Sequence, residues 1–184
     1  TAFKAGELDL LPGVTSTFSR QQYMAFSEPM FSIRRGVITK QQPVNQFQEL
    51  TGKKIAVEQG FALMELLPSL MPKTTLVPVS NSLQAIEAVQ QSKADGYIGD
   101  AVVLSDLLRQ HNDPSLELSI LPGLPTNHLH FATQKGKHKL LSRINFALED
   151  IKSQSLTAIY NQWLNPGQIN MFTNYGQLRL SPEE

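Results

Sequence analysis

Residues 6–31 read GELDLLPGVTSTFSRQQYMAFSEPMF. Leu8, Leu10 and Leu11 follow Gly6 and run into Pro12-Gly13, the pattern of a short buried strand stopped by a turn. Gly13, Thr15 and Thr17 then alternate, and Arg20 comes three residues later. In open α/β sheets, ligands bind beyond the carboxyl ends of strands. Hydroxyls, backbone groups and a guanidinium gathered at such a place suit a carboxylate held bidentately. The same residues suit a Ser/Thr turn that caps a helix and leaves Arg20 on the surface. Both readings stand on these residues alone.

Downstream, short strands alternate with helices. GVIT (36–39), IAV (55–57), TTLVPV (74–79), GYIGD (96–100), LELSIL (116–121) and HLHFAT (128–133) read as strands, with Pro78 placing its strand at an edge. Leu63, Leu66, Leu67 and Leu70 share one helical face, as do Leu83, Ile86 and Val89 behind an N-cap from Ser80, Asn81 or Ser82. Two closing helices carry the stripes Leu140, Leu141, Ile144, Leu148, Ile151 and Leu156, Ile159, Tyr160, Trp163, Leu164, with Pro166-Gly167 as the stop. This alternation predicts α/β architecture with largely parallel sheets. A complete αβ block separates residues 1–33 from the closing helices. Two lobes follow, one of 1–33 plus 127–165 and one of 34–126, with 166–184 as a tail or linker. Hinges are expected near Ser32–Arg34 and Asn127–His128.

Composition removes several functions. Lys plus Arg and Asp plus Glu both count 16, so the basic excess of a nucleic-acid binder is missing. The cluster Lys135, Lys137, His138 and Lys139 reads as a solvated turn. The chain has no cysteine, which removes disulfides, thiolate nucleophiles and Cys-ligated metals. No apolar run approaches the roughly 18–20 residues of a membrane span. His128 and His130 fall on one strand face, but without a nearby third ligand they read as surface or hinge residues and not as a metal pair. No cofactor is implied, and no Ser-His-Asp order, phosphate loop or HExxH motif occurs. Glu58 with Asp100 is the one pair of carboxylates that an acid/base reaction would use.

Two further stretches bear on binding. In KKIAVEQGFALMELL (53–67) a strand passes through Gly60, Phe61 and Ala62 into a helix whose first N–H groups favour an anion. In SKADGYIGDAVV (92–103), Asp100 stands before the helix AVVLSDLL, where it suits an N-cap or a ligand contact.

Together these stretches resemble the family 3 extracellular solute-binding proteins, whose pattern runs G-x-x-D, a strand, G-x-T-x-T-x-x-R and F-S-x-P-Y. Gly6 and Asp9 match the first part, Gly13, Thr15, Thr17 and Arg20 the second, and Phe26, Ser27 and Pro29 the third. HFATQKGKHKLLSRINFALEDIKSQSLTAIYNQWL (130–164) matches the family's closing strand and two helices. The resemblance implies a two-lobed, periplasmic-binding-protein-like type II fold of the Venus-flytrap kind. It implies that Arg20 clamps an α-carboxylate, Thr15 donates a hydroxyl, Gly13 offers its carbonyl to an ammonium group, and Asp100 pairs with that ammonium. Phe61 stands where the family usually has a hydroxyl. That departure implies a bulkier, more apolar ligand, or a cleft that Phe61 fills itself.

Relative to the family, a βαβ-sized unit before residue 6 is missing, so the first lobe reads as incomplete. The functional expectation is an extracytoplasmic, non-enzymatic domain that binds an amino acid or related carboxylate. The tail LRLSPEE (178–184) resembles the linker of tandem flytrap sensor kinases, which favours the sensor of a membrane signalling protein. The competing readings are a receptor of an ABC amino-acid transporter, a dehydratase or lyase on the same fold, and a ligand-free conformational sensor.

Overall fold

The computed structural model describes residues 2–154 and 156–173. In chain order the strands are β1 (Leu10–Thr15), β2 (Met24–Ile33), β3 (Arg35–Lys40), β4 (Lys54–Glu58), β5 (Thr75–Val79), β6 (Gly96–Asp100), β7 (Leu116–Ile120) and β8 (Asn127–Gln134). The helices are α1 (Ala2–Ala5), α2 (Phe18–Gln21), α3 (Leu63–Leu70), α4 (Ser82–Gln90), α5 (Ala101–His111), α6 (His138–Gln154), α7 (Leu156–Trp163) and α8 (Pro166–Ile169). The chain divides after Ile33 and after Thr126 into two compact units, each with its own sheet.

In the unit of residues 34–126 the strand order is β5-β4-β6-β3-β7. Successive residues of its central strands bury on opposite faces, as the two-residue period of a strand requires. Val37, Ile55, Val57 and Ile98 pack with Leu63 and Leu67 of α3 on one face. Ile38, Ala56 and Tyr97 pack with Ala85, Ile86 and Val89 of α4 and Leu104 of α5 on the other. Asn81 caps α4 by accepting from the Gln84 N–H at 3.0 Å. Leu83 lies off the buried face and is exposed, although it shares helical spacing with Ile86.

The sheets are less parallel than the alternation suggests. Only the β4–β5 and β4–β6 pairs run parallel. β3 pairs antiparallel with both β6 and β7, because the chain enters this unit at the sheet end where β6 finishes, and Arg35 lies opposite Asp100. Pro78 does sit on an edge strand.

The other unit holds the antiparallel sheet β1-β8-β2. Here β1 continues through Pro12-Gly13 instead of ending there. It is an edge strand, so the missing Pro12 N–H costs no ladder bond. Gly13 takes φ +71°, and the register slips between Leu11 and Val14. Pro166-Gly167 lie just past the end of α7 at Trp163, as expected, and also open the short α8. Asn165 caps α8 at Gln168 N, 3.0 Å away, and Gln168 Oε1 accepts from Asn165 N at 3.2 Å. The segment then returns to the sheet, where Thr173 N donates to Ser32 O at 2.9 Å. Phe172 packs against Tyr160 with ring centres 5.0 Å apart. The stripes of α6 and α7 bury only in part: Leu148 and Tyr160 are covered, while Ile151, Ile159 and Trp163 are exposed. Three strands offer too narrow a face to cover both helices. The stretch 178–184 lies outside the described residues.

Close packing makes one testable demand. A Cβ added at Gly36 would meet Leu118 Cδ1 at 2.8 Å and the Ser119 carbonyl oxygen at 3.0 Å. Gly36→Ala is therefore expected to destabilise the protein by about 1–3 kcal/mol, read as a lower urea midpoint with an unchanged slope.

Candidate functional site

The sequence-predicted residues of the first unit gather at the end of β1. Thr15, its last residue, donates its hydroxyl to Asn127 Oδ1 at 2.8 Å. Arg20, on the short α2, folds back so that a terminal guanidinium nitrogen donates to the Thr15 carbonyl at 2.8 Å. Thr17 takes the helix-capping role, accepting from Arg20 N at 3.3 Å. Arg20 is half-buried, and Gly13 lies exposed two residues before Thr15. Thr17 thus supplies the cap, while Arg20 is held at the Thr15 carbonyl. Asn127 was not legible as part of this group. It is buried where the chain returns from the second unit, 112 residues away from its partner.

In the second unit Gly60 adopts φ +79° and turns the chain from β4 towards α3. Phe61 donates its N–H to the Glu58 carbonyl at 3.3 Å and is 55% exposed. Ala62 occupies the N-cap position of α3 with no side-chain cap.

Asp100 ends β6 and holds the N-cap position of α5, yet its side chain makes no capping bond. It faces Arg35 instead, with Oδ1 3.6 Å from a terminal guanidinium nitrogen. Arg35 has only 4% of its side chain exposed and also donates Nε–H to the Pro125 carbonyl at 3.1 Å. Burial pushes the pKa of this guanidinium down, and the Asp100 charge partly restores it. No local sequence pattern marks Arg35. Its role follows from the register of β3 against β6.

Glu58, at the end of β4, accepts the Tyr97 hydroxyl at 2.6 Å and the Ser82 hydroxyl at 2.8 Å, both on Oε1. Burial, and then the bond to Glu58, hold the Tyr97 hydroxyl above its ordinary pKa, so the phenol stays a donor. Both carboxylates of the possible acid/base pair are thus engaged by neighbours. His128 and His130 lean on β2: His128 Nδ1 is 2.8 Å from Ser32 Oγ, and His130 donates from Nδ1 to the Ser27 carbonyl at 2.7 Å. Among the described residues no three His, Cys, Asp or Glu side chains are grouped to hold a metal. No helix of the described residues is long and apolar enough to cross a membrane.

Two α/β units threaded by two chain crossings, with polar clusters at their strand ends, define the class of two-lobed solute-binding domains. The pattern of bacterial extracellular solute-binding proteins, family 3, matches residues 1–166, and the chain belongs to that family. The virulence sensor protein BvgS of Bordetella bronchiseptica is 25% identical over 162 residues, covering 87% of this chain and 13% of that protein. The putative ABC transporter arginine-binding protein 2 of Escherichia coli (strain K12) is 24% identical over 161 residues, covering 84% of this chain and 65% of that protein. The crystal structure of the Bordetella pertussis BvgS periplasmic VFT2 domain has the same fold. It gives a TM-score of 0.76 at 24% identity over 88% of this chain and 70% of that one. The chain therefore spans a small part of the sensor relative and about two thirds of the transport relative.

The buried Arg35 charge sets a test of this site's construction. Asp100→Asn leaves a guanidinium out of water beside a neutral amide and is expected to cost about 1–3 kcal/mol, because Asp100 itself is partly exposed. Adding Arg35→Met should recover most of that loss in urea unfolding.

Proposed function

We propose that this domain binds a small carboxylate ligand, an amino acid or a close relative, outside the cytoplasm, as the sensing part of a membrane signalling protein. The observation that carries the proposal is Arg20 fastened to the Thr15 carbonyl at the end of β1, within the frame G-x-T-x-T-x-x-R. A guanidinium fixed in this way has paid part of its ordering entropy before a ligand arrives. Its planar fork suits a carboxylate. In this reading Gly13, Thr15 and Arg20 are the first unit's contribution to the site. Gly60, Phe61, Ala62 and Asp100 are proposed as further ligand-binding residues, Phe61 offering an apolar surface.

The partners proposed are a small-molecule ligand and a membrane-anchored signalling chain, with no role for nucleic acid. The BvgS likeness supports the sensor reading. The likeness to an arginine-binding transport protein supports a second one, a receptor serving an ABC transporter. Fractionation of the native full-length protein separates them, since a sensor stays with the membrane and a free receptor does not. Binding and not catalysis is proposed because Asp100 faces the buried Arg35 and Glu58 Oε1 holds two hydroxyls, which leaves no acid/base pair facing one another.

Arg20→Ala should weaken a carboxylate ligand by about a hundredfold or more, since losing a buried charge partner costs about 3–5 kcal/mol. Arg20→Lys should restore only part of this, because an ammonium lacks the planar fork. Calorimetry against the common amino acids and their carboxylate relatives reads the difference. Equal affinities for wild type and Arg20→Ala would turn the assignment to a ligand-free sensor.

A further inference from the structure

We infer that Glu58, and not Asp100, receives the cationic group of the ligand, an inference that rests on the amino-acid-like binding proposed above. Asp100 is the acid that the family pattern marks for a ligand ammonium, but in this chain it already has a cation. Arg35 is almost wholly buried, and its terminal nitrogen lies 3.6 Å from Asp100 Oδ1. A guanidinium so far from water needs its counter-charge. Drawing Asp100 towards a ligand ammonium would strand Arg35 inside the protein.

Glu58 is in the opposite condition. The parallel register of β4 and β6, with Ile55 opposite Gly96 and Ala56 opposite Tyr97, brings Glu58 to the same sheet end as Asp100. Two hydroxyls, from the buried Tyr97 and from Ser82, both bind Oε1. They fix the carboxylate's orientation but carry no charge. Oε2 accepts no hydrogen bond and joins no ion pair among the described residues. Asp100 has the buried Arg35 guanidinium 3.6 Å away, whereas the bonds to Glu58 come from neutral hydroxyls. Half-buried and held at one oxygen, Glu58 offers the other to a primary ammonium in a charge-assisted bond.

The test uses the native full-length protein and calorimetry with two ligand sets: the proteinogenic L-amino acids, and the des-amino carboxylic acids with the same side chains. Glu58→Gln keeps an oxygen for the Tyr97 and Ser82 hydroxyls and removes only the charge. It should weaken amino acids tenfold or more and change des-amino acids by less than about twofold. Asp100→Asn, shown folded by its melt, should weaken both members of each pair by the same factor. Arg20→Ala serves as the control for carboxylate anchoring and should weaken both sets. If Asp100→Asn removes the preference for the amino acid while Glu58→Gln keeps it, the inference is wrong. It is equally wrong if wild type binds the des-amino acids as tightly as the amino acids, although Arg20-dependent binding of either set would leave the carboxylate reading intact. Absence of binding by both sets would overturn the two together.

Discussion

Taking the Arg35 guanidinium out of water costs hydration that only fixed partners can return. Asp100 and the Pro125 carbonyl are those partners, and each lies on a different part of the chain. The requirement holds the start of β3, the end of β6 and the segment leaving the second unit in one arrangement. Around it the antiparallel entry of β3 becomes necessary, and the polar strand end acquires its charge pattern.

The two polar groups have a common logic despite belonging to different units. At the end of β1, a backbone carbonyl and an amide side chain position Arg20 and Thr15. At the end of β4, two hydroxyls position Glu58. In each case neutral partners orient the side chain; the Thr15 O–H proton is itself used on Asn127 Oδ1, which leaves that hydroxyl its lone pairs. Membership of the solute-binding family, and likeness to both a sensor and a transport protein, agree with a chain whose strand ends are prepared in this way.

Much of the fold was legible because it is written locally. Alternation in IAV and GYIGD, the apolar face of α3, and Asn81 before α4 are signals carried within a few residues. The frame of Gly13, Thr15, Thr17 and Arg20 was legible for the same reason. What escaped depends on neighbours far away in sequence. Pro12-Gly13 reads as a stop until β1 is known to be an edge strand. Asp100 reads as a cap until β3 places Arg35 opposite it. Asn127 reads as part of a hinge until Thr15 is found beside it. Trp163 reads as core until the sheet beneath α7 proves only three strands wide. The direction of β3 and β7 depends on where the chain enters the unit, which no hydrophobic period encodes.

Each sheet also carries proline on its edge strands, Pro12 on β1 and Pro29 on β2 in one and Pro78 on β5 in the other. On β2 the register slips on both sides of Pro29. A strand arriving from another molecule would find an amide hydrogen missing at each of these places, and on β2 a broken spacing as well. Such edges are poor templates for cross-molecular sheet growth. The prolines that interrupt these ladders therefore favour colloidal solubility.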